Sequence, residues 1–135
     1  MGYISPLFSA ILPFLVWPVE LVFPWPYLVE EIAKFLLVVF LISTVNNKSQ
    51  RLQLAVACGV LFSISELVFY LINISLVGGI GTIFIRFALT APMHTLTFVL
   101  LTTGLNYGKY WLGLALVTSI GIHYLFNLGI AQWFS

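Results

Sequence analysis

A chain of 135 residues of which 61% are hydrophobic and 7% charged has too little polar surface to cover a water-soluble globule, so its solvent is mostly lipid. A net charge of +1 excludes the clustered Lys and Arg field on which nucleic-acid affinity depends. The single cysteine, Cys58, excludes a disulfide framework or a cysteine zinc site and reads as a small buried hydrophobe.

Polar and Gly/Pro punctuation divides the chain into about five segments, each near the roughly 20 residues that cross a bilayer core. The pattern predicts an all-α membrane protein, a compact bundle of about five transmembrane helices in a single integral-membrane domain over residues 1–135. The first segment runs from Ile4 to Phe23. Pro13 and Pro18 make it the least regular span, and Glu20 near its end reads as interfacial. It lacks the basic start and cleavage site of a signal peptide, so it is expected to stay in the mature protein. The Pro24-Trp25-Pro26 turn, whose Trp suits a membrane interface, leads into the second segment, Tyr27 to Val45. The polar stretch Asn46 to Arg51 ends it. The third covers Leu52 to Val77 and stops at Gly78-Gly79. The fourth runs from Gly81 to Leu105, and Asn106-Tyr107-Gly108-Lys109 separates it from the fifth, Tyr110 to Phe134. Lys48, Arg51 and Lys109 put the second–third and fourth–fifth loops on the cytoplasmic side. The prediction is a multi-pass protein of the cell membrane with a cytoplasmic amino terminus.

An ionisable group at membrane depth costs at least a few kcal/mol and normally faces a cavity or a partner. The informative residues are therefore Glu30, Glu31, Lys34, Glu66 and Arg86, with His94, His123 and Asn127 as polar companions. Counted along the helix from the outer ends, Glu66 lies about 16 Å deep, His123 about 15 Å and His94 about 20 Å, so three helices bring polar groups to nearly one level. Glu30 and Lys34 are i,i+4 in the favourable order for an ion pair, and Glu31 points about 100° away. Phe62 and Glu66 share one stripe of the third segment. Thr90, His94 and Thr97 share one of the fourth, with Pro92 expected to bend that helix. Ser119, His123 and Asn127 repeat every four residues on the fifth.

Four patterns on successive segments carry a family resemblance: E-E-x-x-K from Glu30 to Lys34, F-x-x-x-E from Phe62 to Glu66, R-x-x-x-x-x-P-x-H from Arg86 to His94, and H-x-x-x-N from His123 to Asn127. In order and rough spacing they resemble the PrsW family. That family looks like a branch of the intramembrane proteases that include the type II CAAX prenyl endopeptidases and the bacteriocin-processing proteins. The resemblance spans about residues 27–130. Asn127 stands where PrsW proteins often carry Asp, which is similar to the CAAX branch, and the chain holds little beyond the catalytic core.

The resemblance implies hydrolysis of a peptide bond of a membrane-embedded or membrane-associated substrate. Glu30, with Glu31 beside it, would be the general base that activates water, with Lys34 holding it in place. His123 and Asn127 resemble the oxyanion-stabilising pair, and His94 with Glu66 would orient the water or shuttle its proton. Arg86 reads as a snorkelling anchor or a partner for Glu66. A metal version remains open in which Glu66, His94 and His123 hold zinc with Glu30 as base, although the H-E-x-x-H helix signature is missing. Two other readings stand beside the protease: a catalytically inactive membrane scaffold or chaperone of the same fold, and a haem-binding membrane subunit with His94 and His123 as axial ligands. So short a chain has few helices to enclose a cavity, and a homo-oligomer is one way to complete it.

Overall fold

The structure, a computed structural model, describes residues 2–72 and 80–133. Among them are five α-helices and no strands: α1 (Ser5–Glu20), α2 (Pro26–Phe40), α3 (Lys48–Ile72), α4 (Ile80–Tyr107) and α5 (Lys109–Trp133). The last turns expected of the third segment, the Gly78-Gly79 stop and Phe134 lie outside the described residues. Four of the helical stretches, Gly2–Glu20, Lys48–Ile72, Ile80–Tyr107 and Lys109–Gln132, are long and apolar enough to cross a bilayer. The chain is thus an all-α, multi-pass membrane protein.

The local chemistry explains the boundaries. A turn of 3-10 helix, Gly2–Ile4, leads into α1, which stays helical through both Pro13 and Pro18 where an irregular span was expected. Pro26 opens α2 at a first-turn position where its missing N–H costs nothing. Asn47 caps α3, its Oδ1 accepting from the backbone N–H of Ser49 at 2.9 Å and of Gln50 at 3.2 Å. Gly108, at φ +120°, is the joint between α4 and α5, a conformation that L side chains resist. The expected second span of Tyr27 to Val45 divides into α2 and a separate 3-10 turn, Ile42–Thr44. With 15 residues, α2 measures about 22 Å against the roughly 30 Å of a hydrocarbon core. It is the short helix of the bundle.

The helices pack in a ring, α1 on α3, α3 on α4, α4 on α5, α5 on α2 and α2 back on α1, and α2 also touches α4. Close approach makes two of these seams. A Cβ added to Gly59 would meet the Thr95 Cα at 2.4 Å, so α3 and α4 touch backbone to backbone. Ser9 Oγ donates to the Cys58 carbonyl and Ser65 Oγ to the Ala10 carbonyl, both at 2.6 Å, binding α1 to α3. Leu37, Val38, Ile42, Cys58, Phe62, Phe98 and Leu101 fill the interior, while Leu7, Phe8, Phe14, Phe84 and Leu125 face outward as lipid-facing bulk.

The basic loops share one end of the ring. Arg51 binds three segments there: its guanidinium donates to the Val45 carbonyl at 2.5 Å, the Ser43 carbonyl at 2.9 Å and Asn106 Oδ1 at 3.1 Å. Tyr3 donates to Gln50 Oε1 at 3.2 Å, so the amino-terminal end of α1 lies at that end too.

Candidate functional site

The four glutamates are the only acidic residues in the chain. All four, Glu20, Glu30, Glu31 and Glu66, gather with both histidines at the end away from Lys48, Arg51 and Lys109. The geometry follows from the elements: α1 ends at Glu20, α2 begins at Pro26, and the site takes the later half of α3, the middle of α4 and the later half of α5. The short α2 sets its first turns, with Glu30 and Glu31, level with residues from the middle of its longer neighbours.

Lys34 is the hub. Its ammonium donates to Glu31 Oε1 at 2.6 Å and to Thr97 Oγ1 at 3.3 Å, and it faces His94 Nδ1 at 2.7 Å. The ammonium lies 4.8 Å from the Phe62 ring centroid, and that ring is tilted against the His94 ring with centroids 4.7 Å apart. His94 Nε2 reaches Glu66 Oε2 at 2.7 Å, and Glu66 Oε1 accepts from the Tyr70 hydroxyl. On the other side, Glu31 Oε1 meets His123 Nδ1 at 2.9 Å. One unbroken chain of hydrogen bonds therefore runs Tyr70, Glu66, His94, Lys34, Glu31, His123, joining α3, α4, α2 and α5. Lys34 and Glu31 form a buried ion pair within it, and Glu66 is held by hydrogen bonds from Tyr70 and His94.

Glu30 stands apart from that chain. Its side chain is 14% exposed, Oε2 is buried with no hydrogen-bond partner, and that oxygen lies 4.0 Å from His94 Nε2. It faces a cavity of about 820 Å³ to which all five helices contribute, through Trp17 and Glu20, Glu30, Glu66 and Tyr70, Arg86, and His123 and Asn127 respectively. Arg86 lays its guanidinium 5.0 Å from the Tyr70 ring centroid and lines the same cavity as Glu66.

Most of the residues singled out in the sequence thus meet: Glu31, Lys34, Glu66, His94 and His123 in the network, and Glu30, Arg86 and Asn127 on the cavity wall. The pairing differs from expectation. Lys34 takes Glu31, at i,i+3, and not Glu30, and both residues are 0% exposed, so this is a buried ion pair and not a snorkelling one. Tyr70 is absent from the residues the sequence singles out, and Glu20, read there as interfacial, lies on the cavity wall. Tyr70 continues the Phe62–Glu66 stripe by four residues, a spacing that was available to find it. Glu20 had no motif; only the scarcity of acids in the chain pointed to it.

The arrangement does not reproduce the expected zinc set of Glu66, His94 and His123. The acid that comes closest to both histidines is Glu30 and not Glu66: one carboxylate oxygen of Glu30 and one ring nitrogen each of His94 and His123 lie within 4.8 Å of one another. Tetrahedral ligands at 2.0–2.1 Å from zinc sit about 3.3 Å apart. A ligating imidazole ordinarily donates its outer N–H to an acceptor. His94 instead turns Nδ1 to an ammonium and has Nε2 on Glu66. Nor is there a slot for a porphyrin, because the two imidazoles are in edge-to-face contact with centroids 5.3 Å apart.

Fold and site together define a helical membrane protein with a buried acid–imidazole network beside a cavity. No protein-family model matches the chain, and no characterised protein or solved structure matches it.

Proposed function

We propose that this chain is an intramembrane peptidase of the PrsW and CAAX kind, hydrolysing a peptide bond of a transmembrane or membrane-associated substrate. The observation that carries the reading is the Glu30 carboxylate, with a buried oxygen that no protein group satisfies, facing a cavity that an imidazole and an amide also line. An orphaned buried carboxylate oxygen is costly for folding and suits a role completed by water or substrate. A volume near 820 Å³ falls within the range of ligand sites and accommodates a few residues of extended peptide.

The chemistry is proton transfer with no covalent enzyme intermediate. Water attacks the carbonyl carbon, one of its protons passes to Glu30, and the carbonyl electron pair moves to oxygen. Asn127 offers an amide N–H to that oxyanion from the wall formed by α5. As the C–N bond breaks, its electron pair stays on nitrogen, which takes the proton back from Glu30. The buried Lys34–Glu31 pair and Glu66 keep the surrounding side chains in place. Three basic loop residues at the far end favour a cytoplasmic amino terminus, which puts the cavity in the outer half of the cell membrane.

Cleavage of candidate membrane-peptide substrates in detergent tests the reading. Glu30→Gln is expected to lower kcat by about 10²–10⁴-fold, the usual weight of a general base, while leaving helix content unchanged. Glu66→Gln and His123→Ala should also fall well below wild type, and a chelator should have no effect. Equal cutting by all three variants would overturn the assignment, and loss of cutting on chelation with recovery on added zinc would overturn its metal-free form.

A further inference from the structure

The hydrogen-bond partners of the two histidines are of opposite kinds, and donors and acceptors can be counted. A Lys ammonium has three donors and no acceptor. His94 Nδ1, 2.7 Å from Lys34 Nζ, must therefore accept, and the ring proton of a neutral His94 sits on Nε2. That nitrogen faces Glu66 Oε2 at 2.7 Å, an oxygen that only accepts when ionised, so both ends of the ring require the same tautomer. His123 is the reverse. Its Nδ1 faces Glu31 Oε1 at 2.9 Å, so Nδ1 carries the proton and Nε2 keeps a lone pair. Double protonation is disfavoured by charge: Glu31 Oε1 already holds the Lys34 ammonium at 2.6 Å in a fully buried position, and an imidazolium would set a second cation against the same oxygen.

We infer that the network holds His94 and His123 in opposite tautomers, and that His123 Nε2, with Glu30 Oε2, is an acceptor that holds the attacking water. Since Nδ1 is committed to Glu31, the nitrogen that His123 has left to offer is Nε2. The cluster of Glu30 with one nitrogen from each histidine spans distances within 4.8 Å. A water donating two hydrogen bonds of about 2.8 Å bridges acceptors about 4.5 Å apart, which fits within that limit. Held by two acceptors, the water directs its lone pairs at the carbonyl carbon. One proton then leaves to Glu30, and the other stays hydrogen-bonded to His123. The oxyanion is left to Asn127, because an Nε2 without a proton has nothing to donate, and this differs from the His–Asn oxyanion pair expected from the sequence. Glu31 acts through His123 and is a positioning residue. The water-holding role rests on the peptidase reading; the tautomers do not.

The chain has only two histidines, so nitrogen NMR of protein labelled with 15N in the imidazole rings can read both. At neutral pH in detergent, one ring should show a protonated Nε2 and the other a protonated Nδ1. His94→Gln should remove the Nε2–H ring and so assign the pair. Glu31→Gln replaces an acceptor by an amide able to donate, and should move His123 wholly or partly to the Nε2–H form. It should also lower kcat on the order of 10²-fold or more with KM little changed, as expected for an imidazole put in the wrong tautomer. A proton on His123 Nε2 in wild type, in either a neutral or a doubly protonated ring, overturns the inference, and that spectrum decides even where Glu31→Gln fails to fold. A folded Glu31→Gln protein with His123 unchanged overturns the positioning role of Glu31. Opposite tautomers in a protein that cuts no peptide would sink the peptidase reading and leave the tautomers standing.

Discussion

Lys34 is central to the site, since its ammonium bonds both the Glu31 carboxylate of α2 and the His94 imidazole of α4. Its removal leaves Glu31 as an uncompensated charge with no water to turn to. Lys34→Met is expected to destabilise the protein by about 3–5 kcal/mol, measured by denaturant unfolding in micelles. The double change Glu31→Gln with Lys34→Met should recover most of that loss, because no lone charge remains. A single variant as stable as wild type would mean the pair is solvated after all. Spacing alone could not choose Lys34's partner, because positions three and four residues back both neighbour it on a helix surface. The choice of Glu31 follows from which face of α2 turns to α4 and α5, and that is tertiary information. Glu66 and the two histidines were legible for the opposite reason: polar groups inside apolar helices must meet something, and matched depth said roughly what.

At the scale of elements, the α3–α4 seam is the tightest joint, and its tolerance should be correspondingly small. Gly59→Val has to displace the Thr95 backbone and is expected to cost about 1–3 kcal/mol by unfolding in micelles. Gly113→Ala on α5 makes a matched control. A Cβ there meets nothing within 4 Å, and helix propensity predicts a gain of about 0.5–1 kcal/mol. If both changes behave alike, the seam is not as close as drawn. The number and order of helices could be read from runs of apolar residues between polar loops. The shortness of α2 could not, because Leu41 to Val45 is as apolar as the helix before it and hydropathy does not register a change from α to 3-10 winding. Continuous helix through Pro13 and Pro18 was likewise hidden, since a proline announces a lost hydrogen bond and not the neighbours that keep the helix in place.

Charge is sorted across the whole molecule, with Lys48, Arg51 and Lys109 at one end and every acid toward the other. Membrane orientation can be read directly because the native Cys58 is buried and should stay silent to thiol reagents. Lys48→Cys, in intact cells, is expected to resist a membrane-impermeant maleimide, while Phe23→Cys, at an exposed position near the cavity end, should label. The reverse pattern would turn the protein over and put the cavity on the cytoplasmic side.

The three bonds of Arg51 have a mechanical consequence. They knot the linker before α3 to the hairpin of α4 and α5, so the bundle is cinched where it has no chemistry. At the opposite rim, α1 and α5 flank the hollow and, among the described residues, share no extensive packed face of their own. Stiffness is therefore uneven along the barrel of helices. Splaying the free rim about that cinch widens the mouth of the hollow most and the knotted end least.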